Sequence, residues 1–316
     1  MCTAVKYKSK NLYFGRNLDL ERGYGEGVVI TPRRFEIVTR HEGVLESHFA
    51  MIGMAAVVGG YPLYFEATNE KGLSMAGLNF PENAVYFEKK EEKKNIAPFE
   101  FIPFVLGKCK STKEAEGLIK EINLVNENFS EELPLSPLHW MISDKDKSIV
   151  VESVLGGLKI YDNPFEVLTN NPPFDYHKTN IKNYMGLSVG GVQNKLCPEI
   201  PLENYSLGMG AMGLPGDFSS ASRFIRAVFV KEKSVAKPNE KAGVNQFFHI
   251  LDSVSMPRGC VAANGNFEYT RYSSCCNADT GVYYYKTYDD FEVRSVDMKK
   301  VDLDTAKLFV YTVSGM

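Results

Sequence analysis

Cys2 directly follows the initiator methionine and is small enough for that methionine to be removed. Once Met1 leaves, one residue carries both a thiol and a free α-amine. An unperturbed α-amine titrates at about 7.7–8.0 and a thiol near about 8.5, so the amine can act as base for its own nucleophile. A cysteine at position 2 says little alone. Arg16 and Asp19, on the next strand-like run, supply the two charges such a residue would use. A guanidinium beside a thiol favours the thiolate, and a carboxylate orients an ammonium through charge-assisted hydrogen bonds. Strand period two puts residues three apart on opposite faces, so the pair needs a bend or bulge, which Gly15 and Asn17 would tolerate. As solvated turn charges, both would be inert.

Attack of a thiolate on an amide also requires a stabiliser for the tetrahedral oxyanion, usually backbone N–H groups or an Asn side chain. Taken bare, Asn79 and Asn170 read as turn formers, Asn170 preceding Asn171-Pro172-Pro173, and their spacing alone assigns them no part in this. Arg223 falls in the first turn of a helix that Ser219 or Ser220 would cap, where a cation opposes the helix dipole by roughly 0.3–1 kcal/mol. That placement favours a functional reading.

The elements that must position these residues follow from periodicity and punctuation. Segments 3–7 and 11–14 read as a hairpin across Lys8-Ser9-Lys10. Strands follow at 28–31, 35–39, 48–58, 63–67 and 73–77, and 88–94 is a charged, solvated run. Pro98 opens a helix ending at Gly107, and Ser111-Thr112-Lys113-Glu114 has the spacing of a capping box. Strands return at 138–143, 149–154, 158–161 and 167–169, before a short helix at 174–184. Residues 188–213 form a glycine-containing aperiodic loop of a length that is uncommon without a function. Helices at 219–233 and 243–256 precede strands at 267–273, 281–287 and 291–296. Strands, two helices, strands, two helices, strands is an α+β pattern. No repeat or linker divides the chain, so one domain over 1–316 is expected.

Composition narrows the function further. A net charge of −3 offers no basic field for nucleic acid or an anionic membrane. No apolar run of membrane-spanning length and no secretory leader occurs, so a cytoplasmic protein without stable membrane association is expected. The six cysteines include no Cys-x-x-Cys, and the five histidines lack metal-ligand spacing, so no metal is expected. No His stands in a recognisable relation to a Cys, which weakens a Cys–His peptidase reading.

Five motifs then occur in order along nearly the whole chain. They are Met1-Cys2-Thr3; Gly15-Arg16-Asn17-Leu18-Asp19; Asn69-Glu70-Lys71-Gly72-Leu73 with Ala76-Gly77-Leu78-Asn79-Phe80-Pro81; Leu168-Thr169-Asn170-Asn171-Pro172; and Leu214-Pro215-Gly216-Asp217 with Ser222-Arg223-Phe224. On these the chain resembles the choloylglycine hydrolase family, specifically its bile salt hydrolases, of the N-terminal nucleophile superfamily. The resemblance implies a four-layer αββα sandwich of two antiparallel sheets between helical layers. It implies catalytic roles for Cys2, Arg16, Asp19, Asn170 and Arg223, with Asn170 and the backbone N–H at Asn79 around the oxyanion. It implies a bile acid amide-linked to glycine or taurine as substrate, no cofactor, and a homotetramer built through the 188–213 loop. An apolar trough for the steroid would draw on Leu18, Val58, Phe65, Phe129 and Leu133. Two other readings stand beside it. One is penicillin V acylase, whose members resembling this chain generally carry tyrosine where Asn79 stands. The other is a non-catalytic binding protein with Cys2 blocked by Met1.

Overall fold

The computed structural model describes residues 1–263 and 265–313. The chain opens with β1 (Cys2–Lys8) and β2 (Leu12–Leu20), continues through β3 (Gly27–Thr31), β4 (Met51–Val58), β5 (Tyr61–Asn69) and β6 (Ser74–Asn79), and then enters α1 (Phe101–Lys108) and α2 (Thr112–Ile119). Next come β7 (Leu138–Ser143), β8 (Ser148–Val154), β9 (Gly157–Asp162), β10 (Val167–Leu168) and α3 (Phe174–Asn180). After the long loop, α4 (Ser220–Lys233) and α5 (Glu240–Asp252) lead to β11 (Val261–Ala263), β12 (Asn266–Asn277), β13 (Val282–Thr287), β14 (Arg294–Asp297) and β15 (Phe309–Thr312).

The strands divide into a 7-stranded sheet, order β10-β1-β2-β12-β13-β14 with β11 on β12, and an 8-stranded sheet, order β9-β8-β7-β6-β5-β4-β3-β15. Helices α4 and α5 cover the first sheet, and α1 packs on β5 and β6 of the second. The sheets face each other where β1 and β2 meet β5 and β6. The result is the four-layer αββα sandwich, with one core of Phe14, Val28, Met54, Leu78, Phe224 and Phe247 among others, and another under α1 and α2 around Trp140.

Burial on both faces explains the odd composition of β1 and β2. Every residue of β1 except Lys8 is buried, and so is every residue of β2 except Leu20, including Arg16, Asn17 and Asp19. Three such polar residues in a central strand need partners from both neighbouring layers. Gly15 is required where β12 crosses: a Cβ there would lie 2.0 Å from the Ser274 carbonyl oxygen.

Several elements run longer or shorter than periodicity suggested. The second strand continues past residue 14 to Leu20, and β12 extends from Asn266 to Asn277. Between 35 and 39 only Ile37–Val38 pair, and the 48–58 run becomes a strand at Met51. Helix α5 begins at Glu240 rather than 243, because the Asn239 side chain accepts a hydrogen bond from Ala242 N and starts the helix earlier. Strand β15 went unread; its exposed Val310 and Tyr311 resemble a surface loop more than a strand. β2 pairs with β1 in unbroken register from Leu12 to Leu18, so Arg16 turns to Phe65 O and Gly77 O of the second sheet while Asn17, of the same parity as Asp19, turns to Leu251 O on α5. The register of β12 against β2 slips between Thr270 and Tyr272, opposite Asp19 and Leu18, and not at Gly15 or Asn17.

Candidate active site

Cys2 begins β1, pairs with Leu18 and is only 2% exposed. Its backbone nitrogen donates to Asn170 Oδ1 at 2.8 Å. Met1 extends the ladder by one residue: its ammonium donates to the Asp19 carbonyl and to Glu268 Oε2, both at 2.7 Å, and Asp19 N donates back to the Met1 carbonyl at 3.0 Å.

Arg223 reaches this position from the first turn of α4, whose N-cap is Ser219. Its guanidinium is fully buried and clamps the start of β1. Nη1 donates to Cys2 O (2.6 Å) and Thr3 Oγ1 (2.7 Å), Nη2 to Asn170 Oδ1 (2.8 Å), and Nε to Phe218 O (3.0 Å). Burial pulls its pKa down, against the pull of Asp19 and Cys2. Asn170 Oδ1 therefore serves Cys2 N and Arg223 together, while Nδ2 donates to the Asn79 carbonyl at 2.6 Å. One N–H of that amide remains without a partner among the described residues.

The backbone of Asn170 is fixed as tightly as its side chain. Asn170 N donates to Ser220 Oγ, and Thr169 Oγ1 donates to Ser220 O, locking this turn onto α4. From the other side, His177 Nε2 donates to Asn170 O at 3.0 Å and His139 Nε2 donates to Thr169 O at 2.9 Å. Burial pushes the pKa of His177 down to about 4, so the ring is neutral over the mildly acidic range. Glu152 completes the support: Oε1 accepts from Phe174 N at 2.9 Å and lies 3.2 Å from His139 Nδ1.

Arg16 is held by backbone carbonyls: Nη1 donates to Gly77 O (2.5 Å) and Phe65 O (3.1 Å), and Nε to Asn17 O (3.4 Å). Burial works against its charge, but Cys2, Tyr272, Glu66 and Asp19 outweigh burial and raise its pKa. Asp19 Oδ1 accepts from Thr270 Oγ1 at 2.6 Å, and that hydroxyl is oriented by Met256 N. Burial pushes the Asp19 carboxyl up, with Arg223, the terminal ammonium, Thr270 and Arg16 opposing. Two charged atoms, Arg16 Nη2 and Asp19 Oδ2, are buried without hydrogen-bond partners among the described residues. Buried charges left open in this way fit a group that arrives later, because an unpaired buried ionic atom is otherwise costly.

Hydrogen bonds thus join Cys2, Asn170, Arg223 and the half-buried Asn79, from β1, the turn after β10, α4 and β6, and the buried Arg16 and Asp19 of β2 act on Cys2 and Arg223 through their charges. Leu18 pairs with Cys2, and Phe65 offers its carbonyl to Arg16 while its ring packs against Tyr24 at 6.2 Å. Val58 lies farther along, paired with Tyr61 at the tip of the β4–β5 hairpin. Phe129 packs on Tyr61 and Phe99 there, and Leu133 closes the same loop by accepting from Ser130 N. Sequence reasoning missed His139, His177, Thr270 and Glu66, and read Ser220 only as a possible helix cap. None stands near a site motif with a spacing that betrays it, except Ser220, three residues before Arg223. Among the described residues no cluster of His, Cys, Asp or Glu could hold a metal ion, and no helix is long and apolar enough to cross a membrane.

The family profile of linear amide C–N hydrolases, choloylglycine hydrolase family, matches residues 2–311. A bile salt hydrolase/transferase of Lactiplantibacillus plantarum is 53% identical over 312 residues, 98% of this chain and 96% of the relative. One of the same description from Clostridium perfringens is 38% identical over 322 residues, 98% of this chain and 96% of the relative. The crystal structure of a mutant conjugated bile acid hydrolase from Clostridium perfringens matches with a TM-score of 0.91 at 36% identity, over 99% of this chain and 97% of that one. A penicillin V acylase from Agrobacterium tumefaciens shares the fold, with a TM-score of 0.77 at 20% identity over 97% of this chain and 90% of that one. On sequence, fold and matched length, the chain belongs to the choloylglycine hydrolase family of linear amide C–N hydrolases.

Proposed function

We propose that this chain is a cysteine amidohydrolase that cleaves the amide bond of glycine- or taurine-conjugated bile salts, releasing free bile acid and amino acid. The observation that carries this reading is the clamp on Cys2. Its nitrogen rests on Asn170 Oδ1, with Arg223 on the same oxygen and two open charges, Asp19 Oδ2 and Arg16 Nη2, buried alongside. Removal of Met1 turns that nitrogen into an amine. The amine accepts the thiol proton, directly or through water, and the thiolate attacks the amide carbonyl. The free N–H of Asn170 and the backbone N–H at Asn79 hold the oxyanion. The protonated amine gives its proton to the departing amino acid, and water activated by the same amine then cleaves the thioester. Asp19 orients the amine, while Arg16 and Arg223 supply positive potential. The scheme calls on no cofactor.

The relatives named above as bile salt and bile acid hydrolases support the substrate class. Asn79 favours it over penicillin V. A small amide with two donors and one acceptor suits polar atoms near the scissile bond and offers no aromatic face for a phenoxy ring. Loss of such a stack costs about 0.5–1.5 kcal/mol, roughly a two- to tenfold effect. In this reading Leu18, Val58, Phe65, Phe129 and Leu133 line an apolar trough for the steroid. The deciding experiment is kcat/KM for glycocholate, taurocholate and penicillin V on Met1-free protein. At least one conjugate should exceed penicillin V, and Asn79→Tyr should narrow the gap. Preference of the wild type for penicillin V would end the bile salt assignment.

The same proposal covers the rest of the chain's biology. Residues 1–316 form one N-terminal nucleophile domain, in keeping with a family match over 2–311. The 188–213 loop is an assembly arm that builds a homotetramer. Val189, Leu196, Leu202, Tyr205 and Leu207 are exposed along it, an apolar set that a second copy would cover. Deleting residues 189–204 should lower the mass seen by light scattering while the monomer stays folded. An unchanged mass, or a wild type already monomeric, would refute the arm. Residence is cytoplasmic, in keeping with six free thiols, and cell fractionation tests it.

A further inference from the structure

Glu66 on β5 is a buried carboxylate that the scheme above leaves unused, only 2% exposed and 3.9 Å from Arg16 Nη1. That separation is too long for a hydrogen bond. Arg16 is fixed without it, by the carbonyls of Gly77, Phe65 and Asn17. Glu66 is likewise fixed without Arg16. Oε1 accepts from Ser274 Oγ (2.9 Å) and Tyr283 OH (2.5 Å), and Oε2 accepts from Tyr272 OH (2.7 Å). Two separately anchored charges at close range, sharing no hydrogen bond, act on each other through their fields alone.

We propose that Glu66 is a positioning residue acting through Arg16: it offsets part of the guanidinium charge and so sets how much positive potential reaches Cys2. This rests on Cys2 as nucleophile. The local charges support it. Arg16 and Arg223 are essentially fully buried with the carboxyl groups of Asp19 and Glu66, while the buried Glu152 is held apart from them by Phe174 N and His139. Asp19 acts on Arg223 and Arg16 from β2, and Glu66 acts on Arg16 from β5, at 3.9 Å from Nη1. The other titratable groups facing Glu66 are Tyr272 and Cys276 on β12 and Tyr283 on β13. Burial pushes both tyrosines well up and Cys276 up to about 12, so all three stay neutral. Burial also pushes Glu66 up, while Arg16 and the three hydroxyls pull the other way.

The sign of the effect separates this role from a merely structural one. Removing a structural anchor would loosen Arg16 and slow the thiol. Removing an opposing charge strengthens the field at Cys2 and speeds it. The test is peptide-resolved alkylation of Cys2 by iodoacetamide on Met1-free protein, without substrate, beside glycocholate hydrolysis. Where Glu66 is ionised and the thiol still largely protonated, Glu66→Gln should alkylate roughly threefold faster or more, and the two profiles should converge as falling pH protonates Glu66 in the wild type. Glu66→Asp, which keeps the charge, should stay near wild type. Where Glu66→Gln does not fold, Tyr283→Phe serves: losing one donor makes the carboxyl easier to protonate, so Cys2 should again react faster. A folded Glu66→Gln, or in its place a folded Tyr283→Phe, whose Cys2 reacts at the wild-type rate or slower overturns the proposal. A wild type whose Cys2 alkylates but which cleaves no conjugate overturns the proposed function instead, and the two failures are read on separate assays.

Discussion

Cys2→Ser, processed to expose residue 2, should retain the fold and lose at least about a hundredfold in kcat/KM for a conjugated bile salt. The substitution keeps an oxygen nucleophile, the amine and every contact made by the residue 2 backbone. What disappears is the thiolate, which an amine of ordinary basicity can generate far more readily than an alkoxide. Retaining Met1 should be at least as damaging with the thiol intact. In that form the nitrogen of Cys2 is an amide committed to Asn170 Oδ1, and it can neither take a proton from sulfur nor give one to a leaving group. The fold does not object to Met1, which simply lengthens β1 against Asp19 and places its ammonium on Glu268. Loss of activity on retention would therefore report chemistry rather than misfolding. Intact mass separates the two forms, and kcat/KM is measured on each. A chain carrying Met1 that hydrolyses conjugates at the processed rate would sink the mechanism.

The residues that could be found from sequence are those lying in or beside an ordered motif. Cys2, Arg16, Asp19, Asn79, Asn170 and Arg223 were legible in this way, and the structure couples all six through hydrogen bonds or charge. The layered architecture was legible too, because elements with strong periodicity alternate in blocks. Their supports were not. Thr270 meets Asp19 across 251 positions, and Tyr283 meets Glu66 across 217. Such pairs are made only when β2 and β12 lie side by side and the two sheets stack. The register slip opposite Asp19 belongs to β12 as well, so no inspection of 15–19 could have located it. His177 and His139 were invisible for a related reason. A lone histidine beside a turn gives no signal until tertiary packing aims it at a carbonyl, and here both are aimed at the Thr169–Asn170 turn.

That convergence on one turn makes Asn170 the second position at which a large effect is expected. Asn170→Ala removes three hydrogen bonds together: acceptance from Cys2 N and Arg223 Nη2, and donation to Asn79 O. If its remaining N–H stabilises the oxyanion, kcat should fall on the order of 10²–10³-fold with a much smaller change in KM. Stability should also drop by about 1–3 kcal/mol, since the fully buried Arg223 Nη2 would be left without its partner and Asn79 O would lose its donor. Alanine alone would not separate the two consequences, but Asn170→Asp does. The carboxylate keeps an acceptor for Cys2 and Arg223, and sets a second oxygen where Nδ2 now donates. It should preserve the Arg223 clamp better than alanine while remaining as inactive, because an acceptor cannot hold an oxyanion. Thermal unfolding and kcat measured on the same preparations then move independently. An Asn170→Asp enzyme with near wild-type kcat would show that the side chain only braces Cys2, and would pass the oxyanion to backbone N–H groups alone.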